Sequence, residues 1–93
     1  MSVRPIQTTR LDAAGNIKGS AGSLFWIVAA NPTAAPLNVT VNNATSGTGS
    51  EIFQIEVSAN DTQFMLFSAG FYFSTGIRCG TLDAGLIVTG AYE

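Results

Sequence analysis

The sequence predicts an all-β domain, an antiparallel β-sandwich of about seven or eight short strands. Gly, Asn, Pro and Ser recur about every eight to twelve residues, a spacing typical of turns between short strands. The segments between these turns are rich in Val, Ile, Thr, Phe and Tyr, which favour strands. No window shows a sustained helical period of apolar residues. The sandwich is predicted to be jelly-roll-like or immunoglobulin-like, and the sequence leaves both topologies open.

The first part of the chain contains three predicted strands. Residues 4–11 include Pro5, which cannot donate a ladder hydrogen bond, so residues 1–11 are expected to hold an edge strand or an extended arm. A short strand is expected at residues 17–18. The apolar run at residues 23–30 predicts a strand covered on both faces, ended by the Asn31-Pro32 turn.

The later strands show clearer alternation. Residues 37–42 and 51–57 each alternate apolar and polar side chains, as half-buried strands do. Further strands are expected at residues 63–67, 71–73, 77–81 and 86–92. The predicted core consists of Trp26, Val28, Leu37, Val39, Val41, Phe53, Ile55, Val57, Phe64, Leu66, Phe71, Phe73, Ile77, Cys79, Leu86 and Val88.

The composition indicates a chain that associates with other proteins. Its 93 residues are predicted to form a single domain, residues 1–93. Charged residues make up 11% of the chain, whereas globular domains carry about 25%. This deficit fits a surface buried in protein interfaces, which are poor in Lys, Glu and Asp, or alternatively a neutral Gly/Thr-rich surface. A domain of this size is only marginally stable alone, and one cysteine cannot form an internal disulfide, so oligomerisation is favoured.

Several function classes are disfavoured by the residues. A net charge of −2 without a basic stripe argues against nucleic-acid binding. No apolar run reaches the roughly 18 residues that a membrane span needs. The chain has no His, and its six carboxylates are scattered, so no metal or cofactor is expected.

Catalysis is not expected either. The chain has no G-x-S-x-G, Walker or dinucleotide-binding glycine pattern. Glu51 and Glu56 lie five residues apart on one predicted strand and should point to opposite faces, which disfavours a glycosidase pair. Cys79 is predicted to be a buried core residue, because its neighbour Arg78 would point away from it along a strand. We therefore predict that the protein is not an enzyme.

Trp26 and Tyr92 are the aromatic residues that a sugar-binding platform would use. Trp26 lies inside the continuous apolar run, so burial is the favoured prediction and a carbohydrate-binding module the alternative. The first residues lack the apolar core of a signal peptide. We expect a protein made and kept in a cytoplasm until it assembles, which suits the single reduced Cys79.

The order of parts resembles the small β-sandwich virion proteins of tailed bacteriophages. The shared features are an apolar strand that ends in an Asn-Pro turn, a short alternating strand, an aromatic-x-x-Gly-Ile element and a glycine-marked last strand that ends near Tyr. In this chain they fall at residues 24–32, 37–41, 73–77 and 85–92. The resemblance covers most of the chain, and it consists of the order and composition of these segments.

The resemblance implies a capsid decoration (cement) protein that binds the major capsid protein and stabilises the shell, with other neck, tail or fibre-associated components as the alternative. It also implies a homo-oligomer, favouring a trimer, on the capsid surface of a virion assembled in the host cytoplasm. Edge strands and arms can add to a neighbouring sheet, and arginines pair with carboxylates. The expected partner-contact residues are Arg4, Pro5, Ile6, Arg10 and Leu11.

Overall fold

The fold is known from a computed structural model that describes residues 6–93. The expectations placed on residues 1–5, among them Arg4 and Pro5, lie outside the described residues. The described part forms eight strands and no helix. The strands are β1 Gln7–Leu11, β2 Gly15–Lys18, β3 Gly22–Asn31, β4 Leu37–Asn43, β5 Glu51–Val57, β6 Asp61–Phe73, β7 Ile77–Cys79 and β8 Ile87–Tyr92.

The strands form two four-stranded antiparallel sheets. Sheet A has the order β1-β8-β3-β6, and sheet B has the order β2-β7-β4-β5. The main pairs are β1 with β8, β2 with β7, β3 with β6 and β4 with β5. A long antiparallel hairpin rolled up on itself produces this pairing, which is the topology of a jelly roll. The predicted all-β sandwich is confirmed, and of the two topologies left open the structure has the jelly roll.

The core lies between the two sheets. The apolar–polar alternation in β4 and β5 correctly predicts their inward faces, since Val39, Val41, Ile55 and Val57 are all buried. Leu37 and Phe53 are partly buried against the same core. The core also contains Ile17, Leu24, Ile27 and Ala29, which the predicted core does not include.

The predicted inward orientation of Trp26 and Val28 is wrong, because β3 contains a bulge. Its register against both β6 and β8 shifts between Leu24 and Trp26. One extra residue in a strand exchanges the two faces of everything beyond it. Leu24 and Ile27 are therefore fully buried, whereas Trp26 and Val28 lie on the outer face of sheet A and are only partly buried.

The predicted burial of Phe64, Leu66 and Phe71 is also wrong. Residues 61–73 form one long strand instead of two short ones. Its register jumps from Leu66, opposite Trp26, to Phe71, opposite Leu24, so residues 67–70 bulge out of the ladder. Gly70 lies in this bulge with φ +81°, a conformation that glycine tolerates best.

A row of phenylalanine rings stands beside this bulge. Phe53, Phe67, Phe71 and Phe73 are linked in that order by ring-centroid distances of 5.8, 5.6 and 5.3 Å. The row joins β5, an edge strand of sheet B, to β6, an edge strand of sheet A. Only Phe73 is fully buried, and Phe71 is 38% exposed. The aromatic row therefore closes one open side of the sandwich.

A buried asparagine fixes the turn after β3. Asn31 is 2% exposed, and its Nδ2 donates to the carbonyl oxygens of Ala35 and Val57 at 2.7 and 3.0 Å. Its Oδ1 accepts hydrogen bonds from the backbone N–H and the hydroxyl of Thr33. The Asn-Pro turn is thus held by the side chain of its first residue.

Candidate interaction surface

The outer face of sheet A carries a cluster of apolar side chains, which we call the apolar patch: Trp26, Val28, Phe64 and Leu66. In the β3–β6 register, Trp26 lies opposite Leu66 and Val28 lies opposite Phe64. The Trp26 and Phe64 ring centroids are 6.1 Å apart. Phe64 and Leu66 are 57% and 64% exposed. An apolar cluster of this kind on a sheet face is a feature of interaction sites.

The outer face of sheet B has the opposite character. Apart from Ile52, which is 42% exposed at a bulge in β5, its positions are polar: Asn16, Asn38, Thr40, Gln54, Glu56 and Arg78. Several of them bond to one another, as Arg78 Nη1 does to Asn16 Oδ1 at 3.1 Å and Gln54 Nε2 does to Asn38 Oδ1 at 3.1 Å. Antiparallel sheets usually present such a polar face to water. The outer face of sheet A is therefore the more apolar of the two outer faces.

The edge strand β6 adds a second interaction feature. β6 is the longest strand, with 13 residues, and sheet A has no further strand beyond it among residues 6–93. Its only charged residue is Asp61, and it contains neither Lys nor Pro. Proteins commonly protect exposed edges with charges, prolines, bulges or short strands. In the edge strand β6 these protections are Asp61 and the bulge at residues 67–70, so residues 62–66 have none of them.

The expected contact residues at the start of the chain fall at the other edge of sheet A. β1 pairs along its whole length with β8, so residues 7–11 form an edge strand. Ile6 is 56% exposed, and Arg10 is exposed on the outer face. Leu11 is partly buried and packs against the core, which gives it an internal role. In sheet A the strand β8 therefore lies between this segment and the part of the apolar patch on β3.

The two glutamates of β5 and the other acidic residues are the sequence's candidates for catalytic or metal-binding groups, and the structure assigns positions to those within residues 6–93. A bulge at Ile52 places Glu51 opposite Asn42 and Glu56 opposite Asn38, so both glutamates take outer-face positions of sheet B. The expectation that they lie on opposite faces is therefore wrong. Among residues 6–93, no three His, Cys, Asp or Glu side chains are grouped so that they could hold a metal ion. The same residues include no helix long and apolar enough to cross a membrane.

Cys79 is fully buried in the core. Burial raises the pKa of the Cys79 thiol from 9.0 to about 12, although the positive charge of Arg78 acts in the opposite direction. The thiol therefore stays protonated in the folded protein at neutral pH, and a protonated buried thiol is a poor nucleophile.

This shift predicts how stability depends on alkaline pH. Below pH 9 the thiol is protonated in both states, but between pH 9 and 12 only the unfolded chain loses the proton. Stability then falls with rising pH by up to about 1.4 kcal/mol per unit. We expect urea unfolding to show a fall of about 2 kcal/mol between pH 8.5 and 10.5 that Cys79→Ala lacks. Equal slopes in the two proteins would show that Cys79 is accessible in the native state.

Comparison with protein-family models, with curated protein sequences and with solved structures gave no significant match. The fold and the surface define a class of protein, a small jelly-roll sandwich with one polar outer face, one outer face that carries the apolar patch, and a long edge strand, β6.

Proposed function

We propose that this chain is a structural protein of a tailed-phage particle, of the capsid decoration type. In this proposal it binds the major capsid protein as a homo-oligomer on the outside of the shell and stabilises the shell. Jelly rolls occur both in viral capsid proteins and in lectins. The fold is therefore compatible with a capsid role but does not distinguish it from sugar binding.

The observation that carries the proposal is the apolar patch on a chain with very few charges. Phe64 and Leu66 expose more than half of their surface, on a sheet face that has no charged residue in β3 or β8. A side chain of this kind contributes about 1.5–3 kcal/mol when it becomes fully buried. In a protein that binds other proteins, such a face stabilises the complex when it becomes buried. In a free monomer the same face would favour aggregation.

Symmetric association also suits the small size of the domain. A single small contact surface gives weak binding, but several copies linked together bind a repeating lattice with much higher avidity. A capsid shell offers such a repeating lattice of identical sites. The proposed oligomer would thereby convert modest contacts into stable attachment.

A carbohydrate-binding module is the second candidate, and the partial exposure of Trp26 is the observation that favours it. Sugar sites combine an aromatic platform with nearby polar groups that bind the hydroxyls. Trp26 lies opposite Leu66 and Ala91, and Val28 lies opposite Phe64 and Thr89, so three of these four neighbours are apolar. This environment suits a protein surface better than a sugar ring.

The test is binding to empty heads purified from the phage whose genome carries this gene. The chain is mixed with the heads at increasing concentration, the heads are pelleted, and bound chain is counted per head. We expect saturation at a fixed number of copies and a rise in the temperature at which the heads disrupt. Saturation follows because a shell has a fixed number of equivalent sites.

A pair of matched variants links the binding to the patch. The double variant Phe64→Ser/Leu66→Ser removes two exposed apolar side chains from sheet A, and Ile52→Ser removes a 42% exposed one from sheet B. We expect the double variant to lose at least about tenfold in affinity and Ile52→Ser to bind like the parent protein. Circular dichroism checks that both variants are folded. Failure of the parent protein to sediment with heads, together with binding to an immobilised glycan, would overturn the proposal in favour of the second candidate.

A further inference from the structure

We propose that the edge of β6 at residues 62–66 binds an extended segment of a different protein, which pairs with it as a fifth strand of sheet A. The segment carries apolar residues opposite Leu66 and Phe64 and a basic residue opposite Asp61. The inference rests on the proposed function only where it takes the major capsid protein as the source of this segment. The strand pairing itself does not depend on that source.

The free edge of β6 offers backbone groups to a partner strand. The N–H of Thr62 donates to Oδ1 of Asp61 at 2.8 Å, so it points away from β3. In an antiparallel ladder the N–H and C=O of one residue point to the same side, and the side alternates from residue to residue. The β3–β6 register is continuous from Thr62 to Leu66, so Phe64 and Leu66 also point these groups away from β3. Within residues 6–93 no strand lies beyond β6 to pair with them.

Phe64 and Leu66 each have an apolar neighbour on one side only. Val28 and Trp26 flank them on the β3 side, whereas sheet A, as formed by residues 6–93, ends on the other side. For this reason Phe64 and Leu66 remain 57% and 64% exposed. Directly opposed residues of paired strands share a face, so apolar residues of an added strand would cover them from the open side. The added strand thereby widens the apolar patch by one strand.

The charge at the start of β6 selects a basic residue in the partner. Asp61 is the only charged residue of β6, and its side chain is exposed. A cation directly opposite on an added strand is a favourable cross-strand pair. An open cavity of about 340 Å³ beside Asp61 gives a long basic side chain room. The cavity is lined by Ala30, Asn31, Pro32, Asn60, Asp61 and Thr62.

The two ends of this edge limit the length of the segment. Asn60 precedes the strand in a turn with φ +55°, and residues 67–70 bulge out of the ladder after it. All neighbours in sheet A are antiparallel, and we take the same direction for the added strand. Such a partner pairs with residues 62–66 and reaches Asp61 with its next residue. From its N-terminus, its pattern is apolar-x-apolar-x-x-basic.

The strand edges of a second copy match this pattern poorly. In β1, the other edge of sheet A, the only charged residue is Arg10. Placing Arg10 opposite Asp61 puts the polar Gln7 opposite Phe64. Pairing residues 62–66 of two copies with each other puts Phe67 opposite Asp61 and supplies no cation. The charge and the apolar positions together therefore favour a segment of a different protein, added to the edge as in other cases of strand addition.

The first test is amide hydrogen exchange followed by NMR, with the synthetic peptide Ser-Val-Thr-Val-Thr-Thr-Lys-Ser as the probe. Its two valines and its lysine fall opposite Leu66, Phe64 and Asp61. In the free protein we expect the Phe64 and Leu66 amides to exchange quickly and the Met65 amide, bonded to β3, to exchange slowly. Saturating peptide should slow the Phe64 and Leu66 amides by at least about tenfold.

Two altered peptides separate strand pairing from general stickiness. Methylation of the amide nitrogen of the second valine removes the N–H that would donate to the Phe64 carbonyl, and this peptide should leave the exchange rates unchanged. Replacing the lysine by glutamate should weaken binding at least about fivefold. The variant Asp61→Lys should restore the binding of the glutamate peptide and weaken that of the lysine peptide.

A matched pair of variants tests the edge from the side of the protein. Leu66→Ser and Leu66→Pro both remove the leucine side chain, but only proline also removes the outward N–H. Proline is tolerated on an edge strand where the N–H faces away from the sheet, so both variants should keep the circular dichroism of the parent. We expect Leu66→Pro to bind the lysine peptide at least about tenfold more weakly than Leu66→Ser.

Several outcomes would overturn the proposal. One is protection of the Phe64 and Leu66 amides in the free protein that disappears on dilution, because a second copy would then cover the edge. Others are equal effects of the methylated and unmethylated peptides, or no binding of the lysine peptide. A chain that binds the peptide but ignores phage heads would overturn only the proposed function. Binding to heads without binding to the peptide would overturn only the strand pairing.

Discussion

Replacing Asn42 by leucine is expected to lower the free energy of unfolding by about 3 kcal/mol. The side chain of Asn42 is fully buried on β4 and makes four hydrogen bonds. Its Oδ1 accepts from the Thr40 hydroxyl at 2.9 Å and from the Gly80 N–H at 3.0 Å. Its Nδ2 donates to the carbonyl oxygens of Thr48 and Gly49, each at 3.0 Å.

The large effect follows from what the leucine would leave behind. The side chain joins β4 to the residue after β7 and to the loop at residues 44–50. A buried donor or acceptor that loses its partner costs about 1–3 kcal/mol, and three backbone groups would lose theirs. The carbonyl groups of Thr48 and Gly49 can hydrogen-bond to water instead, because the loop is exposed, and this offsets part of the lost free energy. A small domain has about 5–15 kcal/mol of stability, so the loss is a large fraction of it.

The measurement is urea unfolding followed by the fluorescence of Trp26, with Asn38→Leu as the control. Asn38 lies on the same strand and face, but its side chain accepts only an exposed hydrogen bond from Gln54 at 3.1 Å. We expect a change of less than about 1 kcal/mol there. We also expect faster proteolysis of Asn42→Leu within residues 44–50. Similar losses in the two variants would mean that the buried network contributes little beyond ordinary strand pairing.

The fold class could be predicted from the sequence because two strands carry a clean alternation. In β4 and β5 the apolar residues Val39, Val41, Ile55 and Val57 sit at every second position, and all four are buried. Alternation depends on the local geometry of a strand, so it needs no knowledge of the partner. The order of strands depends on contacts between distant segments, such as β1 with β8, and for that reason the jelly roll could not be chosen in advance.

The errors arose where alternation is missing. Residues 24–28 are all apolar, so nothing in them fixes which side faces inward, and the bulge that follows Leu24 decides it. The same applies to Phe64, Met65, Leu66 and Phe67, where the inner and outer positions are equally apolar. A strand that is apolar on both faces, in a sandwich with only one core, must have apolar side chains on its outer face. That signal was present in the sequence and would have located the apolar patch.

The buried asparagines carry no such signal. Asn42 occupies an outer-face position of β4, where alternation predicts an exposed side chain. It is buried only because the loop at residues 44–50 folds back over it and is held there by its amide. The burial of Asn42 depends on the loop at residues 44–50, and the position of that loop depends on Asn42. Neither can be predicted from the local sequence alone.

Replacing Gly90 by alanine is expected to destabilise the protein by about 2 kcal/mol, although it adds only one methyl group. Gly90 lies on β8, between Thr9 on β1 and Ile27 on β3, with its inner side toward the core. A Cβ atom there would lie 2.8 Å from Cδ1 of Ile17 and 3.4 Å from Cδ1 of Leu24. Ile17 is itself 2% exposed and has little space into which to retreat. The packing of sheet B onto sheet A therefore requires the absence of a side chain at this position.

The sign of the effect is informative, because glycine to alanine in an unstrained strand is usually stabilising by about 0.4–1 kcal/mol. Gly49→Ala is the control, since a Cβ at Gly49 would meet nothing within 4 Å, and we expect no loss of stability there. Ile17→Val removes the methyl group that the new Cβ would strike and should cost about 1 kcal/mol alone. The double variant Gly90→Ala/Ile17→Val should then be more stable than the sum of the single losses predicts, by about 1 kcal/mol in urea unfolding. Strict additivity would mean that Ile17 is not the obstacle and that the two sheets are farther apart at β8 than the structure places them.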